Sequence, residues 1–262
     1  MEPIVFYDIP ADAFQDRMWS PNTWKTRYVL NIKGLPYTTV WVEFPDIAAV
    51  SRKIGALPTQ EGPDGSPIYT LPAIYDPNTK SAISESAAIA RYLEKTYPNF
   101  KPTLIPPETD ALHAAFEAVF WKTLWPDLRQ IMLPPTNALL NPRSAEYFRR
   151  TREAMDGEKL EDWTPAGSEK RERHWRGVER ALDTFAEWLG TYGNREKLFF
   201  TGVDISYADI TVASFLIWIE RVLGKDSKEW QDVLRWNNGR WARFMDAFRK
   251  YEAVDVGVDA EV

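Results

Sequence analysis

The chain has 262 residues, 44% of them hydrophobic and 14% aromatic, which suits one large domain or two modest ones with a buried core and excludes a disordered chain. It holds no cysteine and two histidines, so disulfides, thiolate nucleophiles and cysteine-ligated metal are excluded, and a histidine metal site or a Ser–His triad finds little support. A net charge of −6 argues against general binding of phosphate backbones, so nucleic acid is not an expected partner, and no metal is expected either.

The opening MEPIVFYD has no basic stretch leading an apolar run, so it does not read as a secretion signal. The longest apolar run, 212–219, falls far short of the roughly 20 residues of a bilayer span. A soluble, cytoplasmic protein with no membrane partner is expected.

In chain order, IVFYDI (4–9) reads as a buried strand and 23–33 as a helix stopped by Gly34 and Pro36. Residues 37–44 alternate between two unlike faces, as a strand does, and 46–55 is a short helix. After a Gly/Pro loop at 61–67, LPAIYD (71–76) and SAIS (81–84) make a hairpin, and 85–97 is an amphipathic helix. The order is βαβαββα, an α/β domain over 1–97.

A Pro-rich connector, 98–108, leads to a second domain, 109–262, that reads as all helical. A long aromatic helix is expected at 110–131, then a proline break over 133–143. Further helices are expected near 144–155, 168–190, 206–223 and 238–251. His113 and His174 fall in helices, as surface or packing residues, and the charged run at 169–176 reads as a solvated helix face.

Three stretches carry more specific signals. At 18–27, Ser20 as N-cap and Pro21 behind it fit a helix start, and Trp19 and Trp24 stand where a hydrophobic staple would hold it. The same hydroxyl, at the positive end of a helix, could also donate to an anion such as a thiolate. In the absence of cysteine that thiolate would belong to a bound molecule. At 70–86, Pro72 must sit at a strand end or edge, and a cis bond there would turn the Leu71 backbone outward. Glu85 and Ser86 open the next helix. They read equally as a capped helix start, or as a site for the carboxylate and ammonium of an α-amino acid, with the free helix N–H groups taking the carboxylate. At 202–210, Ser206 and Asp209 make a capping box with Ile205 and Ile210 as its staple, a structural nucleus.

Taken together, SPNTWKTR (20–27), LPAIYD (71–76), SESAAIARYL (84–93) and GVDISYADI (202–210), set around a Pro-rich connector, resemble the glutathione transferase superfamily over nearly the whole chain. The resemblance is to serine-type members, and among them to fungal-specific classes, class A above all, related to glutathione-dependent β-etherases. It implies a thioredoxin-like domain followed by a helical bundle, with glutathione as co-substrate. Ser20 would be the catalytic donor to the glutathione sulfur, and Leu71, Pro72, Glu85 and Ser86 would hold the peptide backbone and γ-glutamyl group. The glycyl carboxylate would meet Arg52 or Lys53, of which Lys53 is carried forward. Hydrophobic aromatic ligands would meet Trp19, Phe120, Trp121 and Trp125, while most aromatics of that helix, Phe116 among them, serve the core. The resemblance further implies a homodimer and a role in detoxification, by conjugation or by cleavage of aromatic compounds. The alternative is a ligandin, which keeps the glutathione site and turns over slowly.

Overall fold

The alternating pattern of the first hundred residues becomes a mixed sheet. In the computed structural model, which describes residues 1–190 and 197–261, the strand β1 (Ile4–Asp8) leads through a loop to the helix α1 (Pro21–Lys33) and then to β2 (Tyr37–Trp41). The helix α2 (Ile47–Ile54), the small pair β3 (Gln60–Glu61) and β4 (Pro67–Ile68), the hairpin β5 (Ala73–Asp76) and β6 (Ser81–Ser84), and α3 (Ser86–Thr96) complete the expected order. The strand β1 lies parallel to β2, with Ile4 opposite Tyr37, and antiparallel to β5, with Tyr7 opposite Ala73. Residues 191–196 and 262, inside the stretch expected to be helical, lie outside the described residues.

A last strand, β7 (Val258–Asp259), was not expected. It pairs parallel with β2, which gives the sheet order β6-β5-β1-β2-β7. Two residues carry no period-two signal, and side chains far back in the chain bring them in. Asp255 accepts from the Thr39 N–H at 2.7 Å and from Arg27 at 3.1 Å, and Trp41 Nε1 donates to the Val256 carbonyl at 3.0 Å. The first compact unit accordingly comprises Met1–Ile105, Leu140–Tyr147 and Tyr251–Val262.

Under this sheet face, Asp8 and Arg27 form an ion pair at 2.9 Å with both side chains fully buried. Burial pushes the Asp8 carboxyl up against the pull of Arg27. Burial also works against the Arg27 charge, but Asp8 and Tyr37 outweigh it and its pKa is raised. The guanidinium further bonds Thr39 and lies over the Phe6 ring at 4.9 Å, while its Nε is buried without a hydrogen-bond partner.

The second unit comprises Pro106–Leu139 and Phe148–Lys250. Its helices include α4 (Asp110–Thr123), α5 (Trp125–Leu139), α6 (Pro142–Asp156, which starts in the first unit), α7 (Leu160–Trp163), α8 (Glu169–Gly190), α9 (Tyr207–Leu223) and α10 (Lys228–Phe248). The single helix expected at 110–131 is broken after Thr123, where Pro126 has no N–H for the Lys122 carbonyl. The break expected over 133–143 shrinks to Leu140 and Asn141, because α5 runs on to Leu139 with Pro134 and Pro135 inside it. Pro134 withdraws the donor for the Gln130 carbonyl, and the Thr164 hydroxyl supplies one at 2.7 Å. One turn on, Thr136 Oγ1 donates to the Met132 carbonyl at 2.7 Å.

The helix expected from 238 begins earlier, at Lys228, where the Ser227 side chain accepts the Trp230 N–H at 3.1 Å. It is interrupted at Trp236–Gly239, where Asn237 and Asn238 take positive φ as their short amide side chains allow. The four-residue α7 was not expected. The core of this unit is α9, buried from Tyr207 to Glu220, with Phe215 against Phe120. Among the described residues no helix is long and apolar enough to cross a membrane, and no group of three His, Cys, Asp or Glu side chains is placed to hold a metal.

Candidate functional site

The chain leaves β1 at Asp8 and returns to regular structure at Pro21, and Ser20 is the last residue of the loop between them. It is extended (φ −65°, ψ 125°) and only 4% exposed. The expected cap bond is not made, because the hydroxyl takes no helix N–H. Thr23 closes the first turn instead: its hydroxyl and the Trp24 N–H both reach the Ser20 carbonyl, at 3.1 and 3.0 Å. A buried hydroxyl therefore stands at the positive end of α1 and is not spent on the helix.

Trp19 and Trp24 are both buried. Trp19 lies against Phe44, with ring centroids 6.3 Å apart, and Trp24 against Tyr28 at 5.0 Å. The Trp19 indole N–H is buried without a hydrogen-bond partner, a state that costs about 1–3 kcal/mol unless something accepts it.

The Leu71–Pro72 bond is cis. The register of Tyr7 opposite Ala73 puts this bond at the end of the sheet where the chain leaves β1 for Ser20. The Glu85 N–H donates to the Pro72 carbonyl at 3.2 Å, so Leu71, Pro72, Glu85 and Ser86 form one cluster.

Glu85 has φ 78°, a conformation rare for a residue with a side chain, and this folds its carboxylate over the first turn of α3. There it accepts the N–H groups of Ala87 and Ala88, both at 3.0 Å, and the Ser86 hydroxyl at 3.1 Å. The helix N–H groups expected to be free for a ligand carboxylate are thus taken by Glu85 itself. The outcome is a carboxylate fixed by three donors, with lone pairs left for an ammonium.

Lys53 and Arg52, at the end of α2, are engaged elsewhere. Lys53 Nζ donates to the Glu261 carbonyl at 2.9 Å, and the Arg52 guanidinium lies over the Tyr69 ring at 5.1 Å.

In the second unit, Phe120 is fully buried, 4.8 Å from the Phe215 ring and stacked on Phe185 at 5.9 Å. It is a core side chain with no surface for a ligand, which corrects its expected place among the ligand-binding aromatics. Phe116, Trp121 and Trp125 are half-buried. The two indoles meet edge to face at 5.2 Å, and Trp125 stacks on Trp218 at 6.4 Å. His174 bonds Asp127 at 2.8 Å, a packing role as expected.

Residues 19–96 match the family model for the N-terminal domain of glutathione S-transferase, and residues 111–251 match that for its C-terminal domain. The glutathione S-transferase-like protein ustS of Aspergillus flavus is 31% identical over 250 residues, which cover 91% of this chain and 87% of that protein. Among solved structures, the glutathione S-transferase CsGST63524 of Ceriporiopsis subvermispora, in complex with glutathione, is 57% identical with a TM-score of 0.94, covering 97% of this chain and 99% of that one. The glutathione transferase GSTFuA3 of Phanerochaete chrysosporium is 46% identical with a TM-score of 0.92, covering 98% and 100%.

Proposed function

Because the chain belongs to the glutathione S-transferase family, with glutathione as its co-substrate, we propose that it is a serine-type transferase acting through Ser20. The observation that carries this reading is Ser20, a residue 4% exposed at the positive end of α1 whose hydroxyl is unused as a helix cap. Donating to the glutathione sulfur, it stabilises the thiolate over the thiol. A hydrogen bond to a charged group contributes ~1.5–3 kcal/mol, which lowers a thiol pKa by about one to two units.

Glu85 receives the γ-glutamyl ammonium, and its three internal donors hold it in place beforehand. Ser86 turns its hydroxyl to the neighbouring carboxylate, the Leu71 backbone before Pro72 pairs with the peptide, and Lys53 takes the glycyl carboxylate once released from the Glu261 carbonyl. Trp121 and Trp125 offer half-buried indoles to flat aromatic acceptors, whereas Trp19, 4% exposed, has no open ring face. The thiolate attacks an electrophilic carbon of the acceptor, a carbon–sulfur bond forms, and the leaving group departs with its electron pair. If the leaving group is a phenolate, the same step cleaves an aryl ether, as in an etherase.

The setting is detoxification in a fungal cytoplasm. The pairing is a homodimer formed through α3 and α4; on α4, Ala111, Leu112, Ala114, Ala115 and Ala118 are exposed. The test is glutathione calorimetry followed by turnover of aryl electrophiles and aryl ethers, for wild type and Ser20→Ala. Tight binding without turnover of any acceptor would favour the ligandin. Loss of glutathione binding altogether would end both readings.

A further inference from the structure

The loop ahead of Ser20 is anchored by buried Ile9 and Ala11 at its start and by buried Met18 and Trp19 at its end, while Asp12 to Arg17 between them are exposed or half-exposed. Arg17, three residues before Ser20, has φ 59°, which an arginine keeps only where its surroundings hold it. Its Nε donates to Asp12 at 2.9 Å, its Nη1 donates to Asp259 at 2.6 Å, and its guanidinium lies over the Trp41 ring at 5.4 Å. The Arg17 backbone is also held locally, its carbonyl by the Ala11 N–H and its N–H on the Phe14 carbonyl, both at 3.0 Å, but two of its three side-chain contacts depend on the last strand. Asp259 belongs to β7, and Trp41 is held by the Val256 carbonyl at 3.0 Å and the Ala260 N–H at 2.9 Å. Beside them lies a polar cavity of about 500 Å³ lined by Asp12, Arg17, Trp41, Glu43 and Asp259.

We infer that β7 is a working part of the Ser20 site: Asp259, acting through Arg17, is a positioning residue for the Ser20 hydroxyl. The inference rests on the reading of Ser20 as thiolate donor. An exposed ion pair contributes little to global stability. Here it fixes a strained residue at a place where the direction of one hydroxyl matters, so its effect falls on chemistry rather than on folding.

Two variants probe this. Asp259→Asn removes the charge and keeps the shape. Gly257→Val undocks the strand, because at φ 68° a Cβ would meet Trp41 Nε1 at 2.6 Å and the Thr39 carbonyl at 2.8 Å, while the bonds of Asp255 remain. Wild type and both variants are titrated with glutathione, and the ionisation of the bound thiol is followed by ultraviolet absorbance against pH. The expected result is a bound-thiol pKa raised by up to about one unit and a kcat toward an aryl electrophile lowered up to tenfold near neutrality. The glutathione KM and the melting temperature of Asp259→Asn should stay close to wild type, and Asp259→Glu should recover most of the rate. Amide exchange of residues 11–18 should quicken in both variants.

An unchanged thiol titration in both variants overturns the inference. If wild type does not bind glutathione, the transferase reading fails instead. Amide exchange then decides, and unchanged protection of 11–18 overturns the role of Asp259 on its own.

Discussion

Ser20 and Ser206 stand at the heads of two helices with nearly the same local signature. Each follows a large apolar residue, Trp19 or Ile205, and each has another four residues on, Trp24 or Ile210. The difference lies three residues on. Asp209 accepts the Ser206 N–H at 2.8 Å, the Ser206 hydroxyl at 2.6 Å and the Phe200 N–H at 2.9 Å, so the box closes on itself. At the other head the residue is Thr23, which turns its hydroxyl back to the Ser20 carbonyl and leaves the Ser20 side chain out of the turn. An N-cap serine with its acid is a fastener. Without the acid, the same serine is a buried donor at a positive helix end.

The largest effect expected from this contrast is at Asp209. Asp209→Ala strands three donors, each costing about 1–3 kcal/mol, so chemical denaturation should show a loss of roughly 3 kcal/mol or more while the folded fraction keeps its glutathione affinity. The same carboxyl gives a pH signature. Burial raises it from 3.8 to about 6, against the hydrogen bonds of Ser206 and Phe200. The folded chain then holds a proton at pH values where the unfolded chain has lost it. The contribution to stability is full below about pH 4 and lost as the pH rises through about 6, on the order of 3 kcal/mol. Asp209→Asn should flatten that slope.

Ser20→Ala should do the reverse. Conjugation should slow by roughly 10- to 100-fold, the loss of ~1.5–3 kcal/mol, with the melting temperature unchanged because no cap bond is lost. A lowered melting temperature at an unchanged rate would make Ser20 a fastener like Ser206. A third helix head lies between the two cases. Glu85→Gln should weaken glutathione by about tenfold in calorimetry, the effect of one lost charge-assisted bond. Stability should change little, because an amide oxygen can still accept from Ala87 or Ala88.

The parts of this molecule that could be read from sequence are those set by near neighbours. The strands β1 and β2, the helix starts at Pro21 and Tyr207, and the Gly34 stop follow from spacing and from residue type. What escaped depends on distant partners. Thr164 lets Pro134 stay inside a helix, and Asp255 and Trp41 draw β7 onto the sheet edge. Glu85 was read as a capped helix start or as a ligand residue, and its φ of 78° joins the two, which no local pattern announces. Phe120 was misassigned for a related reason. Phe116 and Phe120 form one stripe of α4, whereas Trp121 lies beside that stripe and Trp125 opens α5. In a segment so apolar on several sides, with Phe215 packed on Phe120, Trp121 and Trp125 alike, only the full burial of Phe120 shows that it is closed.

The smallest effect, and the finest test of the contrast, is Ser206→Ala. The variant removes one donor to Asp209 and leaves the Phe200 and Ser206 N–H groups in place, so the loss should be about 1 kcal/mol, within the 0.5–2 kcal/mol usual for a serine cap. It should also change the pH dependence. The Ser206 hydroxyl holds the Asp209 carboxyl down, so removing it lets burial push the group above about 6. The fall in stability with rising pH should then extend to higher pH than in wild type, while transferase turnover stays the same. Thermal melts of the two proteins from pH 4 to 8 measure both effects. If the curves run parallel, the hydroxyl does not reach the carboxylate, and the closed box that separates Ser206 from Ser20 is lost. If they diverge above about pH 6 and turnover holds, the two serines are distinguished by chemistry as well as by place.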